Sequence, residues 1–356
     1  MTRIRLPMLL AAVLVLFGAV LAPSSGQADG AAVLEGWLRP ASARFAEAAD
    51  RLEGRLAEAC GPGGSGDLVG AAVKAEFGEA VEAWAGLLAV HFGAAREEDR
   101  LTRIAFWPDP RNFVPRHLGA LLADPAADLS PAGVAAASVA VQGLPALERL
   151  LLGEGGGGAD PARTCAMALG IAGNLASIGR DLVAGWAESG RHARILARPG
   201  SDNAVYRDAD EVDRALFGAV VETLQFVAAV VLDPALGRAP GEARPTRLPF
   251  HRSGLEMRTI GAMLAGVESL WREGGLDARL EAVSPTAAGG AALELASLRR
   301  TAARAADSLA AGGDIAAAWA TLDDLRFLIQ GAAERFAGTL GPEMGLAAGF
   351  NAMDGD

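Results

Sequence analysis

"FGAAREEDRLTRIAF" (residues 92–106) and "LGRAPGEARPTRLPF" (236–250) decide how this chain folds. At a constant offset of 144 they share Gly93/Gly237, Ala95/Ala239, Glu98/Glu242, Arg100/Arg244, Thr102/Thr246, Arg103/Arg247 and Phe106/Phe250. Further on, "LGALLA" (118–123) returns as "IGAMLA" (260–265) at an offset of 142. A biased composition generates Ala and Gly matches readily. It does not generate an ordered Glu, Arg, Thr-Arg and Phe. Self-similarity over such a span implies a duplicated unit.

Outward from the repeat, the chain reads as helices separated by Gly/Pro-rich turns. Helices are predicted over about 31–59 (bent at Pro40), 68–92, 111–124, 131–152, 161–193, 209–232, 252–273, 286–312 and 314–338. Ser130-Pro131, Asp160-Pro161 and Ser284-Pro285 each place a capping side chain before a first-turn proline, whose missing N–H costs nothing there. Asp208 and Glu211 have capping-box spacing. "GPGGSG" (61–66) and "GEGGGG" (153–158) are breakers, Asp314 marks a helix start, and no strand alternation is found. The expected fold is all-α, built as two tandem, pseudo-repeated four-helix-bundle-like halves, 29–200 and 201–356. Glu222 interrupts "FGAVVETLQFVAAVVL" (217–232), which therefore reads as a buried core helix and not a membrane span.

Composition narrows the function. The chain has 356 residues with a net charge of −11, and Lys74 is its one lysine. No basic stripe exists, which argues against a nucleic-acid partner. Arg3 and Arg5, the apolar run Leu9–Leu21 and the small-x-small site Gly26-Gln27-Ala28 form a secretory signal peptide, residues 1–28. Its removal takes two arginines and no acid, leaving a charge of about −13 and no further membrane span. The expected location is the periplasm. An oxidising compartment permits a disulfide, and the two cysteines, Cys60 and Cys165, are expected to form one; two buried thiols are the alternative.

Several stretches carry the remaining signal: "RIAFWPDPR" (103–111), "VQGLPALERLL" (141–151), "PGSDNAVYRDADEV" (199–212), "LPFHRSGLEMR" (248–258) and the ending "GFNAMDGD" (349–356). With these the sequence resembles the imelysin-like family of secreted, all-helical proteins built from two related bundles. The resemblance implies a role associated with periplasmic iron uptake, or a peptidase activity. It also implies a helical Gly-x-His-x-x-Glu motif, in which residues three apart share a face and can ligate one metal. Here Gly143 and Glu148 fit, but the histidine position is Pro145. Proline offers no lone pair and is expected to kink the helix. Glu148 is then expected to pair with Arg111 or Arg252 in a cleft between the bundles.

The candidate binding residues are Glu148, Arg111, Arg252, Ser253, Trp107, Gln142 and His251; no catalytic residue and no metal ligand is assigned. Of the histidines, His251 lies opposite Trp107 in the repeat, and Glu188–His192 reads as a helix pair. A divalent metal or iron is the one cofactor the resemblance brings into view. The leading reading is a non-catalytic binding or accessory protein whose partner is a small ligand or an envelope protein. The alternatives are a metallopeptidase with non-standard ligands and a helical scaffold.

Overall fold

A computed structural model describes residues 30–61, 68–153, 160–310 and 315–346. The signal segment, most of both glycine-rich breakers, Asp314 and the "NAMDGD" tail lie outside the described residues. Within them the protein is all-α, with about twelve helices and no strand.

Helix α1 (Arg39–Cys60) buries Ala41, Phe45, Ala48, Ala49, Leu52 and Leu56, the one-sided spacing of an amphipathic helix. It lies against α2 (Ala71–Leu87) and along α6 (Pro161–Trp186). Gly179 of α6 sits over the backbone of Ala46, where a Cβ would come within 2.7 Å of Ala46 Cα. Small side chains thus let α1 and α6 approach closely. The Asp160 carboxylate accepts from Ala162 N at 3.0 Å and starts α6, with Pro161 in its first turn. Cys60 ends α1, Cys165 lies near the start of α6, and the two are joined by a disulfide with Cα atoms 5.7 Å apart. Between α2 and α6 the chain also forms the shorter helices α3 (Phe113–Ala123), α4 (Pro131–Ala136) and α5 (Leu144–Leu151).

After α7 (Arg191–Ala197), the second half opens with α8 (Ala209–Phe226). Asp208 accepts from Glu211 N at 2.8 Å and so caps the helix, while the Glu211 carboxylate reaches back one residue past the cap and accepts from Arg207 N at 2.6 Å. The helical run Ala209–Leu236 is long and apolar enough to cross a bilayer. Its Val220, Leu224, Val227, Val231 and Leu232 are instead buried against α9 (Glu256–Glu273) and α12 (Ile315–Arg335). Between these come α10 (Leu276–Val283) and α11 (Pro285–Ala310).

One continuous apolar core runs through both halves. They meet where α2 crosses α9: a Cβ on Gly266 would collide with the carbonyl of Gly86, so glycine is required for this approach. The repeated segments keep one shared feature. Gly93 and Gly237 both take positive φ, at 57° and 63°. They then diverge. In the first copy Ala105 N bonds Leu101 O at 3.1 Å and closes the single-turn helix Arg100–Ile104. The second copy has Pro249 at that position, which has no N–H, and it forms the 3-10 turns Pro240–Glu242 and Pro245–Arg247, followed by a third at His251–Ser253.

The helix expected over 131–152 is three pieces: α4, a 3-10 turn at Val139–Val141, and α5. Gly143 precedes α5 in an extended conformation, and its missing Cβ makes room for the carbonyls of Arg103 and Ile104. Pro145 therefore kinks nothing. It stands in the first turn of α5, where its N–H would be unpaired in any case.

Candidate functional site

Starting α5 at Leu144 turns Glu148 inward, and the side chain is only 5% exposed. One carboxylate oxygen, Oε1, accepts two hydrogen bonds from the other half of the chain. Ser253 N–H donates at 3.0 Å and Ser253 Oγ–H at 2.6 Å. Burial pushes the Glu148 carboxyl above its ordinary range; the Ser253 bonds and the charges of Arg252 and Arg149 oppose this. Ser253 Oγ also lies 3.1 Å from Phe250 O, but a hydroxyl has one proton, and the shorter bond to a carboxylate takes it.

The turn carrying Ser253 is held from behind. Phe250 has φ 52°, unusual for a bulky residue. Its ring packs edge-on against Phe77 and Trp84 of α2, at centroid distances of 6.0 and 5.7 Å. These contacts anchor the turn over α2 while Ser253 reaches α5. No local signal in the sequence marks Phe250 for this task; its repeat partner Phe106 was the only hint.

Gln142 is buried and fully occupied. Its Nε2 donates to Ala135 O and Ala137 O at 3.0 and 2.8 Å, and its Oε1 accepts from Arg103 Nε at 2.8 Å. Asn174 Nδ2 donates to the Gln142 carbonyl at 2.8 Å. Gln142 thus ties α4, α6 and the first repeat segment together, and both of its amide N–H donors are used within the fold. Arg103 and Asn174, missed by sequence reasoning, are the other members of this network.

The remaining candidates are not gathered around Glu148. Arg111 is exposed and, among the described residues, forms no hydrogen bond or ion pair, so the expected Arg111–Glu148 pairing is not found there. Arg252 acts on Glu148 through its charge, and the direct partner is its neighbour Ser253. Trp107 is half-buried, edge-on to Phe226 at 6.2 Å, and lines a separate cavity. His251 Nδ1 is buried without a partner, 3.9 Å from Glu256 Oε1; Glu256 Oε2 is buried and unpaired as well.

The expected Glu188–His192 pair is also replaced. Helix α6 ends at Trp186, which breaks the helical spacing, and His192 Nε2 meets Glu97 at 3.3 Å instead. His91 is placed by tertiary packing. Its Nε2–H donates to Thr223 Oγ1 at 3.2 Å, because the Thr223 hydroxyl itself donates to Ala219 O at 2.7 Å. Burial, with Arg96 nearby, lowers the His91 pKa to about 4.

A structural zinc site needs four ligands and a catalytic one about three plus water. Among the described residues, no group of three His, Cys, Asp or Glu side chains is placed to share a cation. His251 and Glu256 supply two donors at most.

No curated protein matches the sequence. Two solved structures share the fold. An imelysin-like protein from Psychrobacter arcticum 273-4 aligns with a TM-score of 0.74 at 20% identity, covering 90% of this chain and 96% of its own. A protein described as an iron-regulated protein A precursor, from Parabacteroides distasonis ATCC 8503, aligns with a TM-score of 0.63 at 12% identity, covering 86% and 94%. A family model described as Imelysin, peptidase M75, matches residues 39–338. With that match spanning most of its length, the chain belongs to the imelysin family.

Proposed function

We propose that this is a non-catalytic member of the imelysin family, exported to the periplasm by residues 1–28, which acts as a binding or accessory component. Its two halves are read as diverged copies of one bundle, on the strength of the repeat and the shared positive-φ glycines. In this branch the motif histidine is replaced by Pro145, and Glu148 has become a structural acceptor. The observation that carries the reading is the convergence of Ser253 N–H and Oγ–H on Glu148 Oε1. A carboxylate engaged through Oε1 by the other half of the chain, three residues from a proline without a lone pair and with no third metal-ligating side chain placed beside it among the described residues, does not fit the family's metal. A link to iron uptake comes from the family resemblance, and the Parabacteroides protein is described as iron-regulated.

Elemental analysis of purified protein, with a peptide-cleavage assay before and after chelation, tests this. The expected result is no stoichiometric metal and no cleavage. Bound metal together with chelator-sensitive cleavage overturns it and favours a second reading, a metallopeptidase with replacement ligands. The orphaned His251 Nδ1 and Glu256 Oε2 are the observation on that side.

A further inference from the structure

A cavity of about 470 Å³ opens where residues 107–110 of the first half face residues 229–234 and 246–247 of the second. We propose that it is a binding site for small aromatic carboxylates. This goes beyond the reading of Glu148, with which the cavity shares no lining residue, and is independent of the metal and peptidase questions.

The walls are apolar and stiff. Trp107, Pro108, Pro110, Val230 and Pro234 line them. Trp107 is braced by its edge contact with Phe226. Three prolines leave little backbone freedom to lose, so a ligand meets a largely preformed surface. Size and lining fall within the range of small-molecule sites, which combine apolar walls with a few placed polar groups.

Two charged residues reach the cavity, and only one has capacity to spare. Asp109 spends both oxygens on the start of α3, accepting from Phe113 N and Val114 N at 2.8 Å each. Arg247 donates through Nη1 to Pro234 O at 3.2 Å and forms no ion pair among the described residues. Its Nε–Nη2 edge is unused, and that edge is the fork that grips a carboxylate with two parallel hydrogen bonds. The repeat sharpens the contrast. Arg103, the equivalent residue at offset 144, is consumed by Gln142, Asn174 and Glu98. One copy uses this arginine for internal structure; the other leaves it exposed at a cavity mouth. A single guanidinium with Asp109 nearby suits a monoanion. A phosphate dianion would meet repulsion from Asp109 without a second cation. Trp107 and the proline walls select a planar, apolar body.

The test is calorimetric titration of the full mature chain with 3-phenylpropionate, indole-3-acetate and benzoate, with 3-phenylpropionamide as the neutral counterpart. Saturable binding of at least one carboxylate at one site per chain is expected. The amide, and the variant Arg247→Gln, should each bind about tenfold more weakly, the cost of losing a charge-assisted pair. Trp107→Leu should weaken binding as well, whereas Arg272→Gln, an exposed arginine outside the cavity, should not. Circular dichroism confirms that each variant is folded. Absence of saturable binding by all three carboxylates overturns the proposal, as does equal affinity for acid and amide, or an unchanged affinity in Arg247→Gln.

Discussion

Ser253 donates both its backbone N–H and its hydroxyl to a single oxygen of Glu148, 105 residues earlier in the chain. The contact joins the two halves at a point where the carboxylate is buried and the turn behind it is locked by Phe250. Removing the acceptor strands two donors; removing the hydroxyl strands less. Glu148→Ala is expected to destabilise by about 2–4 kcal/mol and Ser253→Ala by about 1–2 kcal/mol. Glu148→Gln, which keeps an acceptor, should fall below Glu148→Ala. Urea denaturation of the three variants provides the ranking, and an Ala variant as stable as wild type would remove the structural role assigned here.

Two buried groups give stability opposite pH dependences. His91 has its pKa lowered to about 4, so its neutral form is favoured on folding. Its contribution is fully present above the unfolded value of about 6.5 and is lost as pH falls toward 4, by at most about 3 kcal/mol. Glu148 is shifted upward, so its contribution is present below the ordinary carboxylate range and is lost as pH rises through the folded value. His91→Gln should flatten the stability profile between pH 6.5 and 4, about the span of that shift. Glu148→Gln should gain on wild type as pH rises from about 4 to 7. Denaturation midpoints across this range check both slopes, and parallel profiles for wild type and His91→Gln would contradict the first.

Gly143 and Pro145 should differ sharply on substitution although they lie two residues apart. A Cβ at Gly143 collides with the carbonyls of Arg103 and Ile104, and backbone atoms cannot rotate away. Gly143→Ala is expected to cost about 2–4 kcal/mol. Pro145 occupies a first-turn position. Pro145→Ala should therefore stay within about 1 kcal/mol of wild type. Thermal melts of the pair decide the matter; a large loss in Pro145→Ala would mean that the proline does more than start the helix.

The Cys60–Cys165 bond closes a loop with a sequence separation of 105 residues. Cys60→Ser combined with Cys165→Ser is expected to lower stability by about 2–5 kcal/mol, and a reducing agent should reproduce the loss in wild type. Thiol titration of the unfolded chain before and after reduction reports the pairing directly.

How far the sequence reached depends on the range of the physics involved. Helix starts were legible because capping is local. Asp160 and Asp208 each bond an N–H two or three residues ahead, so the pattern is written in adjacent letters. The all-α class followed from the same short-range periodicity. Within the 131–152 stretch Pro145 signals an interruption, but a kink in one helix and the start of a new one look alike in the sequence. What separates the two is the close approach of the Arg103 and Ile104 carbonyls, some forty residues earlier, to the face of Gly143 that lacks a Cβ.

The sequence by itself determined that this chain is helical, that its 92–106 segment recurs at 236–250 with Arg103 aligned to Arg247, and that Pro145 stands three residues before Glu148. Only the tertiary structure decided what those residues do. It gave Glu148 to Ser253, spent Arg103 on a buried network and left Arg247 at a cavity mouth. Capping and periodicity act over a few residues and are encoded where they act. A side chain's partner across more than a hundred residues is set by which surfaces the packed helices bring together, and no local pattern carries that information.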